Sequence, residues 1–218
     1  IAALINGTVD LAQASRPMKP EERASAEKAR GAQIVETPVA LDSLAVFVHE
    51  SNPVKELTIE QLAAIYTGRL RSWKEVGGSD APLILYGREN SSGTYDYFKE
   101  HVLRKADFAN SVQTLQGTAA IVNAVSRDAN GIGYGGIAYD KGVRALALKK
   151  DAQSAAVAPS EGSVADGTYP LSRKLYFYSL ANAPVRVTKF VQWTLTAEAQ
   201  ALVKNVGYFP LGDQAAMR

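Results

Sequence analysis

Leu83-Ile-Leu-Tyr-Gly-Arg-Glu-Asn-Ser-Ser-Gly-Thr-Tyr-Asp-Tyr-Phe98 begins as a hydrophobic stretch, passes through a turn of small and polar residues, and continues into a helical pattern. The apolar run Leu83 to Tyr86 predicts a buried strand. Within Tyr95 to Arg104, Phe98 and Val102 lie one helical turn apart, which favours a helix. The segment therefore predicts a strand, a tight turn and a helix in that order, as in α/β proteins.

The turn between this strand and this helix has the composition of an anion-binding site. The first N–H groups of a helix have no partner within the helix, and the helix dipole adds partial positive charge at that end. Gly93 lets the backbone approach a ligand closely, and Arg88 carries a planar fork that matches two oxygens of a tetrahedral anion. Ser91, Ser92 and Thr94 add hydroxyl groups. Taken alone, the segment is explained equally well as a plain helix cap.

A second turn of similar composition lies near the start of the chain, in Asp10-Leu-Ala-Gln-Ala-Ser-Arg-Pro-Met-Lys-Pro-Glu-Glu22. The strand predicted over Val9 to Ala14 leads into Ser15 and Arg16, whose hydroxyl and guanidinium suit the same chemistry. Taken alone, these residues and the proline that follows them are typical of an ordinary turn. The two turns together favour an oxyanion site.

Composition argues against several other classes of protein. The chain has 218 residues, a net charge of +2 and no cysteine, so a disulfide framework, a thiolate metal site and a strongly basic nucleic-acid surface are not expected. No apolar run approaches the ~20 residues that a membrane helix needs. His49 and His101 are far apart in the sequence and predict no metal site. Gly131-Ile-Gly-Tyr-Gly-Gly136 has the spacing of a dinucleotide fingerprint, but its neighbours favour a structural strand.

Elsewhere strands and helices alternate, which predicts α/β lobes with largely parallel sheets. Ile1 to Asn6 has the pattern of the tail of a helix already begun, so we expect a preceding segment. Gln153 to Pro170 is polar and rich in turn residues, which predicts a loop. The other predicted helices are Pro20 to Arg30, Thr58 to Tyr66, Thr118 to Ser126, Val185 to Leu195 and Ala197 to Lys204, and the other predicted strands are Gln33 to Val39, Ser43 to His49, Gly131 to Ala138 and Leu175 to Leu180.

Several motifs follow one another in a specific order: Asn6-Gly-Thr-Val-Asp-Leu-Ala-Gln-Ala-Ser-Arg-Pro-Met18, Leu57-Thr-Ile-Glu-Gln-Leu-Ala-Ala-Ile-Tyr-Thr-Gly68 with Ser72-Trp-Lys-Glu-Val-Gly-Gly78, Arg88-Glu-Asn-Ser-Ser-Gly-Thr94, Asn130-Gly-Ile-Gly-Tyr134, Gly167-Thr-Tyr-Pro-Leu-Ser-Arg173 and Gly207-Tyr-Phe-Pro-Leu211. In this order they resemble the phosphate-binding (PstS-type) solute receptors of bacterial phosphate ABC transporters, in the periplasmic-binding-protein superfamily. The resemblance covers almost the whole chain, and the shared order is more specific than any one motif.

The resemblance implies a two-lobed α/β fold of periplasmic-binding-protein type II, with chain crossings near Thr37 to Ala45 and Tyr169 to Tyr176. It places residues 1–42 and 172–218 in the first lobe and residues 43–171 in the second, with the ligand in the cleft between them and closure by a hinge. The implied ligand is inorganic phosphate, and the implied partner is a membrane-embedded ABC permease. The protein is then expected to be a periplasmic or secreted bacterial monomer that needs no cofactor, binds no nucleic acid and catalyses no reaction.

In the family, an Arg-x-x-x-Ser-Gly-Thr turn of one lobe binds phosphate, and a serine-containing turn of the other lobe binds it as well. Family members have two further turns that contact phosphate, and both come before the position that corresponds to Ile1. The binding site formed by the 218 residues is therefore expected to be incomplete. With the hydroxyl of Ser91 added, the candidate ligand-binding residues are Ser15, Arg16, Arg88, Ser91, Ser92, Gly93 and Thr94.

The sequence departs from the family at Arg16, where some members have an aspartate that accepts the proton of hydrogen phosphate. An arginine has no acceptor, so selectivity for phosphate over sulfate cannot be argued from a carboxylate there. Glu89 is an alternative acceptor, although a solvated Glu89 or one paired with an arginine is favoured.

Other functions stay open at this point. A secreted phosphatase or related hydrolase would need a base or a metal near Ser92, and the sequence indicates neither. A receptor for sulfate, a metalate or a phosphorylated metabolite would use the same turn chemistry. An adhesion protein that merely keeps the fold would be favoured by loss of the site arginine, but Arg88 is present.

Overall fold

The computed structural model describes residues 1–137 and 141–211, which form two compact units. The first unit contains Ile1–Asp42 and Arg173–Arg218, and the second contains Ser43–Ser172. The chain therefore passes from one unit to the other after Asp42 and returns after Ser172.

The first unit is built around a small sheet with helices beside it. Strand β1 (Leu11–Ala14) pairs antiparallel with β9 (Ser172–Leu180), and β9 also lies next to β2 (Ile34–His49). One core cluster includes Leu4, Ala26 and Tyr178. The helices of this unit are α1 (Ala2–Ile5), α2 (Pro20–Arg30), α7 (Val185–Thr194) and α8 (Ala197–Asn205).

The second unit holds the remaining strands and the strand–turn–helix segment. The second half of β2 pairs antiparallel with β6 (Gly131–Gly136), and β6 pairs parallel with β4 (Ile84–Arg88). On its other side β4 pairs parallel with β5 (Gln113–Leu115). The other elements are β3 (Glu56–Thr58), β7 (Val143–Ala145), β8 (Ala147–Lys149), α3 (Ile59–Tyr66), a 3₁₀ turn (Trp73–Val76), α4 (Gly93–His101), α5 (Gly117–Val125) and α6 (Glu161–Ala165).

The close packing of α5 on β6 explains the glycine-rich strand. A Cβ atom added at Gly133 would lie 2.4 Å from Cγ2 of Ile121, and one at Gly135 would lie 2.3 Å from Cγ2 of Thr118. Only residues without a Cβ leave room for the helix at these two positions. The interpretation of this motif as a structural strand is confirmed, although Ala138, its predicted last residue, lies outside the described residues.

Helices with strong local signals are where the sequence predicts them. Helix α2 begins at Pro20 and ends at Arg30 as predicted. Helix α3 has the predicted capping box, since Oγ1 of Thr58 accepts from the N–H of Gln61 at 3.0 Å and the N–H of Thr58 donates to Oε1 of Gln61 at 2.9 Å. These signals depend only on neighbours along the chain, which is why they are reliable.

Three predictions need correction. The sheet is mixed rather than largely parallel, because the long strand β2 pairs antiparallel with β6, and β1 pairs antiparallel with β9. The two strands predicted over Gln33 to His49 are one continuous strand. The segment predicted as a loop contains α6, which Ser160 caps by accepting from the N–H of Ser163 at 3.2 Å.

Helix α4 is also displaced from its prediction, since it begins at Gly93 instead of Tyr95 and ends at His101 instead of Arg104. Arg104 and Lys105 follow with φ angles of 52° and 71°, the left-handed region that terminates helices. The N–H of Lys105 donates to the carbonyl of Lys99 at 2.8 Å and so closes the last turn. Within residues 1–137 and 141–211, no helix combines the length and the apolar character that crossing a membrane requires.

Candidate anion-binding site

The turn between β4 and α4 has a helix cap at its centre. Ser92 is the N-cap residue, and its Oγ accepts from the N–H of Thr94 at 3.1 Å. The N–H of Ser92 donates to the carbonyl of Glu89 at 3.0 Å, and Ser92 is buried. Ser91 and Gly93 are exposed in the turn, whereas Thr94 is half-buried. The cap and the anion site therefore do not exclude each other, because the cap shapes the turn that presents the remaining groups.

Aromatic packing holds this turn against the sheet. The ring of Phe98 on α4 stacks on the ring of Tyr134 on β6, with centroids 3.9 Å apart. The hydroxyl of Tyr66 donates to the carbonyls of Tyr86 and Ile132, at 3.0 and 3.2 Å, and so links β4 to β6. Burial raises the pKa of Tyr66 well above its ordinary value, so this hydroxyl keeps its proton as a donor. Buried contacts thus hold α4 against β6 and join β6 to β4.

Arg88 ends β4, and its guanidinium is held by two neighbours. Nε and Nη2 donate to the two carboxylate oxygens of Glu89 at 2.9 and 3.0 Å. Nη1 donates to Oγ1 of Thr118 at 3.3 Å, and only 13% of the Arg88 side chain is exposed. The hydrogen bond from Arg88 lowers the pKa of Glu89 to about 2, so Glu89 is ionised at neutral pH. The expectation that Glu89 pairs with an arginine is confirmed.

A cavity of about 360 Å³ adjoins this turn within the second unit. The rings of Tyr95 and Phe108 stack at its side, with centroids 4.8 Å apart. The hydroxyl of Tyr134 accepts from the backbone N–H of Arg88 at 3.4 Å. The lining residues are Arg88, Glu89, Asn90, Tyr95, Phe108, Ala109, Asn110, Val112, Thr114 and Tyr134.

The second predicted turn lies in the first unit and has a different construction. The guanidinium of Arg16 forms a bidentate ion pair with Glu22, with Nη1–Oε2 and Nη2–Oε1 distances of 2.8 and 2.7 Å. Glu22 also accepts from the N–H of Lys19 at 2.9 Å, at the start of α2. Bonding to Arg16 lowers the pKa of Glu22 to about 2. The side chain of Arg16 is 39% exposed. Ser15 lies on the wall of a largely apolar groove of about 490 Å³.

The predicted site residues thus fall into two groups. The strand–turn–helix segment brings Arg88, Ser91, Ser92, Gly93 and Thr94 together in the second unit, while Ser15 and Arg16 belong to the first. Sequence reasoning missed Thr118, which contacts Arg88 from thirty positions along the chain. No motif marks this threonine, and only the packing of α5 on β6 brings it to the site.

The two histidines have other contacts. Nδ1 of His49 lies 2.7 Å from Oγ of Ser51, and Nδ1 of His101 lies 3.0 Å from the carbonyl of Tyr97, on whose ring it stacks. Among the residues that the structure describes, no group of histidine and acidic side chains is arranged to hold a metal ion.

Comparisons with known proteins agree with this fold. A sequence model described as the PBP superfamily domain matches residues 1–198. The phosphate-binding protein PstS of Pseudomonas aeruginosa is 38% identical over 98% of this chain and 72% of its own length. Protein SphX of Synechococcus elongatus is 38% identical over 96% of this chain and 65% of its own length. The crystal structure of an ABC-type phosphate transport receptor from Vibrio cholerae is 28% identical, covers 95% of this chain and 82% of its own, and gives a TM-score of 0.80.

A two-unit α/β chain with a strand–turn–helix segment of this kind has the architecture of the PBP superfamily, which confirms the predicted fold class. Within that superfamily, the chain belongs to the PstS family of phosphate-binding proteins, as its motif order predicts.

Proposed function

We propose that this protein binds inorganic phosphate and delivers it to the membrane-embedded permease of an ABC transporter, leaving the phosphate chemically unchanged. The names of the relatives from Pseudomonas and Vibrio support this proposal, because they describe a phosphate-binding protein and a phosphate transport receptor. We further propose that the protein acts in the periplasm or outside a bacterial cell, as a monomer, without a cofactor and without binding nucleic acid.

The observation that carries the proposal is the construction of the turn at Arg88. An arginine with little exposed side-chain surface stands at the end of a strand, next to the N-terminus of a nine-residue helix whose cap is in place. Backbone N–H groups, hydroxyls and a guanidinium are the donors that bind a tetrahedral anion by charge-assisted hydrogen bonds. We assign Arg88, Ser91, Ser92, Gly93 and Thr94 to this role.

The energetics of such a site are sufficient for a receptor. A micromolar dissociation constant requires about 8 kcal/mol of binding free energy. Hydrogen bonds to charged groups contribute roughly 1.5 to 3 kcal/mol each, so several of them reach this value after the anion has lost its water. Ser15 and Arg16 are proposed as further phosphate contacts, with Arg16 the weaker assignment because Glu22 already occupies its fork.

Competition binding tests the identity of the ligand. Radiolabelled phosphate is equilibrated with the purified protein and challenged with unlabelled phosphate, sulfate, molybdate or a phosphomonoester. We expect only unlabelled phosphate to displace the label at stoichiometric concentrations. Equal displacement by sulfate or by a phosphomonoester would show that the protein is a receptor for a different anion.

A secreted phosphatase on the same scaffold is less well supported. A serine nucleophile needs a base within hydrogen-bond reach, whereas Ser92 Oγ accepts from the N–H of Thr94 and each histidine contacts other groups. With a chromogenic phosphomonoester, we expect no hydrolysis above the rate of heat-denatured protein, with or without added Mg²⁺ or Zn²⁺. Turnover that Arg88→Ala abolishes would favour the enzyme instead.

A further inference from the structure

The position of the Arg88 guanidinium is set by a pair of contacts that no local motif shows. Arginine has five N–H donors in a fixed plane. Glu89 accepts from Nε and Nη2, and Thr118 accepts from Nη1. One N–H on each of the terminal nitrogens Nη1 and Nη2 is not used by any of these three bonds. These two donors are the ones that remain for the oxygens of a tetrahedral anion.

Thr118 is well placed to hold this fork in one orientation. It lies in the first turn of α5 and is 8% exposed. Its methyl group packs over Gly135, where a Cβ atom would lie 2.3 Å from Cγ2 of Thr118 and 2.9 Å from its Oγ1. The backbone of β6 therefore fixes the threonine, and the threonine in turn meets Nη1 of Arg88.

Glu89 connects the same elements from the other side. Besides its two bonds to Arg88, its Oε2 accepts from the N–H of Gly117 at 3.4 Å, at the start of α5. The carboxylate therefore joins the arginine at the end of β4 to the helix that carries Thr118. Without both contacts, a long arginine side chain would have to lose rotamer freedom when it binds an anion, and that loss would weaken binding.

We propose that Thr118 is a positioning residue for anion binding: together with Glu89 it holds the Arg88 guanidinium so that the terminal Nη1 and Nη2 donors face the ligand. The inference rests on the proposed phosphate-binding function, and it adds a residue to that site that its sequence motif does not contain. Gly135 takes part indirectly, because it leaves the space that Thr118 occupies.

The test compares one substitution that removes the Thr118 hydroxyl with one that keeps it. Thr118→Val removes the hydroxyl but keeps the shape, and Thr118→Ser keeps the hydroxyl. By isothermal titration with inorganic phosphate, we expect Thr118→Val to weaken binding about fivefold and Thr118→Ser to stay within about twofold of the wild type. Thr188→Val, on the exposed face of α7, is the matched control and should leave the dissociation constant unchanged.

A double-mutant cycle separates positioning from a general structural role. In an Arg88→Ala background, Thr118→Val should have no further effect on phosphate affinity, because the group that it orients is gone. Gly135→Ala, which crowds Thr118, should weaken binding in the wild type and likewise have no effect in the Arg88→Ala background. Equal losses in both backgrounds, or a Thr118→Val protein that binds as the wild type does, would overturn the inference. Failure of the wild type to bind phosphate would instead overturn the proposed function.

Discussion

The two serine–arginine turns of this chain look alike in sequence but are constructed differently. In both, a strand ends near an arginine whose guanidinium forms a bidentate pair with a glutamate. At Arg88 the partner is the next residue, the side chain is 13% exposed, and a helix begins within the same turn. At Arg16 the partner lies six residues away, and the side chain is 39% exposed.

The difference lies in what each glutamate does. Glu22 accepts from the backbone of Lys19 and so completes the start of α2, which gives the Arg16 pair a role in local structure. Glu89 accepts from the N–H of Gly117 and so ties the Arg88 turn to a distant helix. A sequence pattern of strand, serine and arginine therefore does not by itself distinguish an arginine that stabilises a helix start from one that is held ready for a ligand.

Replacing Arg88 should weaken phosphate binding more than any other single substitution. Arg88→Ala should weaken phosphate binding at least about tenfold, because it removes two charge-assisted donors from the ligand. Titration calorimetry measures the change, and circular dichroism checks that the variant is folded. An unchanged dissociation constant in a folded variant would remove Arg88 from the site.

Ser92→Ala should have the next largest effect. Loss of an N-cap hydroxyl costs about 1 kcal/mol in the free energy of unfolding, and at this turn it should also weaken phosphate binding several-fold. Thr196→Ala removes the equivalent cap of α8, where Oγ1 accepts from the N–H of Ala199 at 3.4 Å. Urea unfolding should show a loss for both variants, whereas only Ser92→Ala should change phosphate affinity. A fall in affinity for both would mean that the caps act through stability alone.

Replacing Arg16 shows how much the turn in the first unit contributes to phosphate binding. Since Glu22 occupies the fork of Arg16, this variant should weaken phosphate binding only about two- to fivefold, less than Arg88→Ala does. Both variants are titrated with phosphate under the same salt conditions. If Arg16→Ala caused the greater loss, the ranking of the two arginines proposed here would be reversed.

The smallest effect concerns acid stability. The folded-state pKa of Glu22, about 2, lies below the ordinary value of 4.5, so its carboxylate stabilises the fold above pH 4.5 and this contribution is lost as the pH falls towards 2. Glu22→Gln should therefore lower the free energy of unfolding by less than about 1 kcal/mol at pH 7, and the deficit should shrink between pH 5 and pH 2. Urea unfolding at several pH values measures this. A deficit that stays constant over the range would show that the ion pair does not carry it.

Local signals predict most of the helices and the second unit's turn, but not the shortest strands or the groups that reach the turn from elsewhere. The capping box that begins α3 joins Thr58 to Gln61, three positions later, and α2 begins at a proline. Both signals are local, and both helices are where they are expected. The three-residue strands β3 and β5 exist because of partners far along the chain, so no periodicity marks them. The antiparallel direction of β2 relative to β6 was missed for the same reason.

At the candidate site, too, the sequence predicts local groups but not long-range contacts. Arg88 and the Ser–Gly–Thr turn are visible in the sequence because strand, turn and helix are consecutive there. Thr118 is not visible, since its contact with Arg88 depends on two glycines of β6 that let α5 approach. The motif thus predicts which groups could bind an anion, and the packing of the fold decides which of them are oriented to do so.

Titration of phosphate into the purified wild-type protein, with sulfate as the control anion and Arg88→Ala in parallel, shows whether the protein binds phosphate through the Arg88 turn. We expect a one-to-one isotherm with a dissociation constant in the micromolar range or below for phosphate, at least about tenfold weaker binding in Arg88→Ala, and no saturable heat with sulfate. No saturable heat with phosphate, or the same isotherm for wild type and Arg88→Ala, would contradict it.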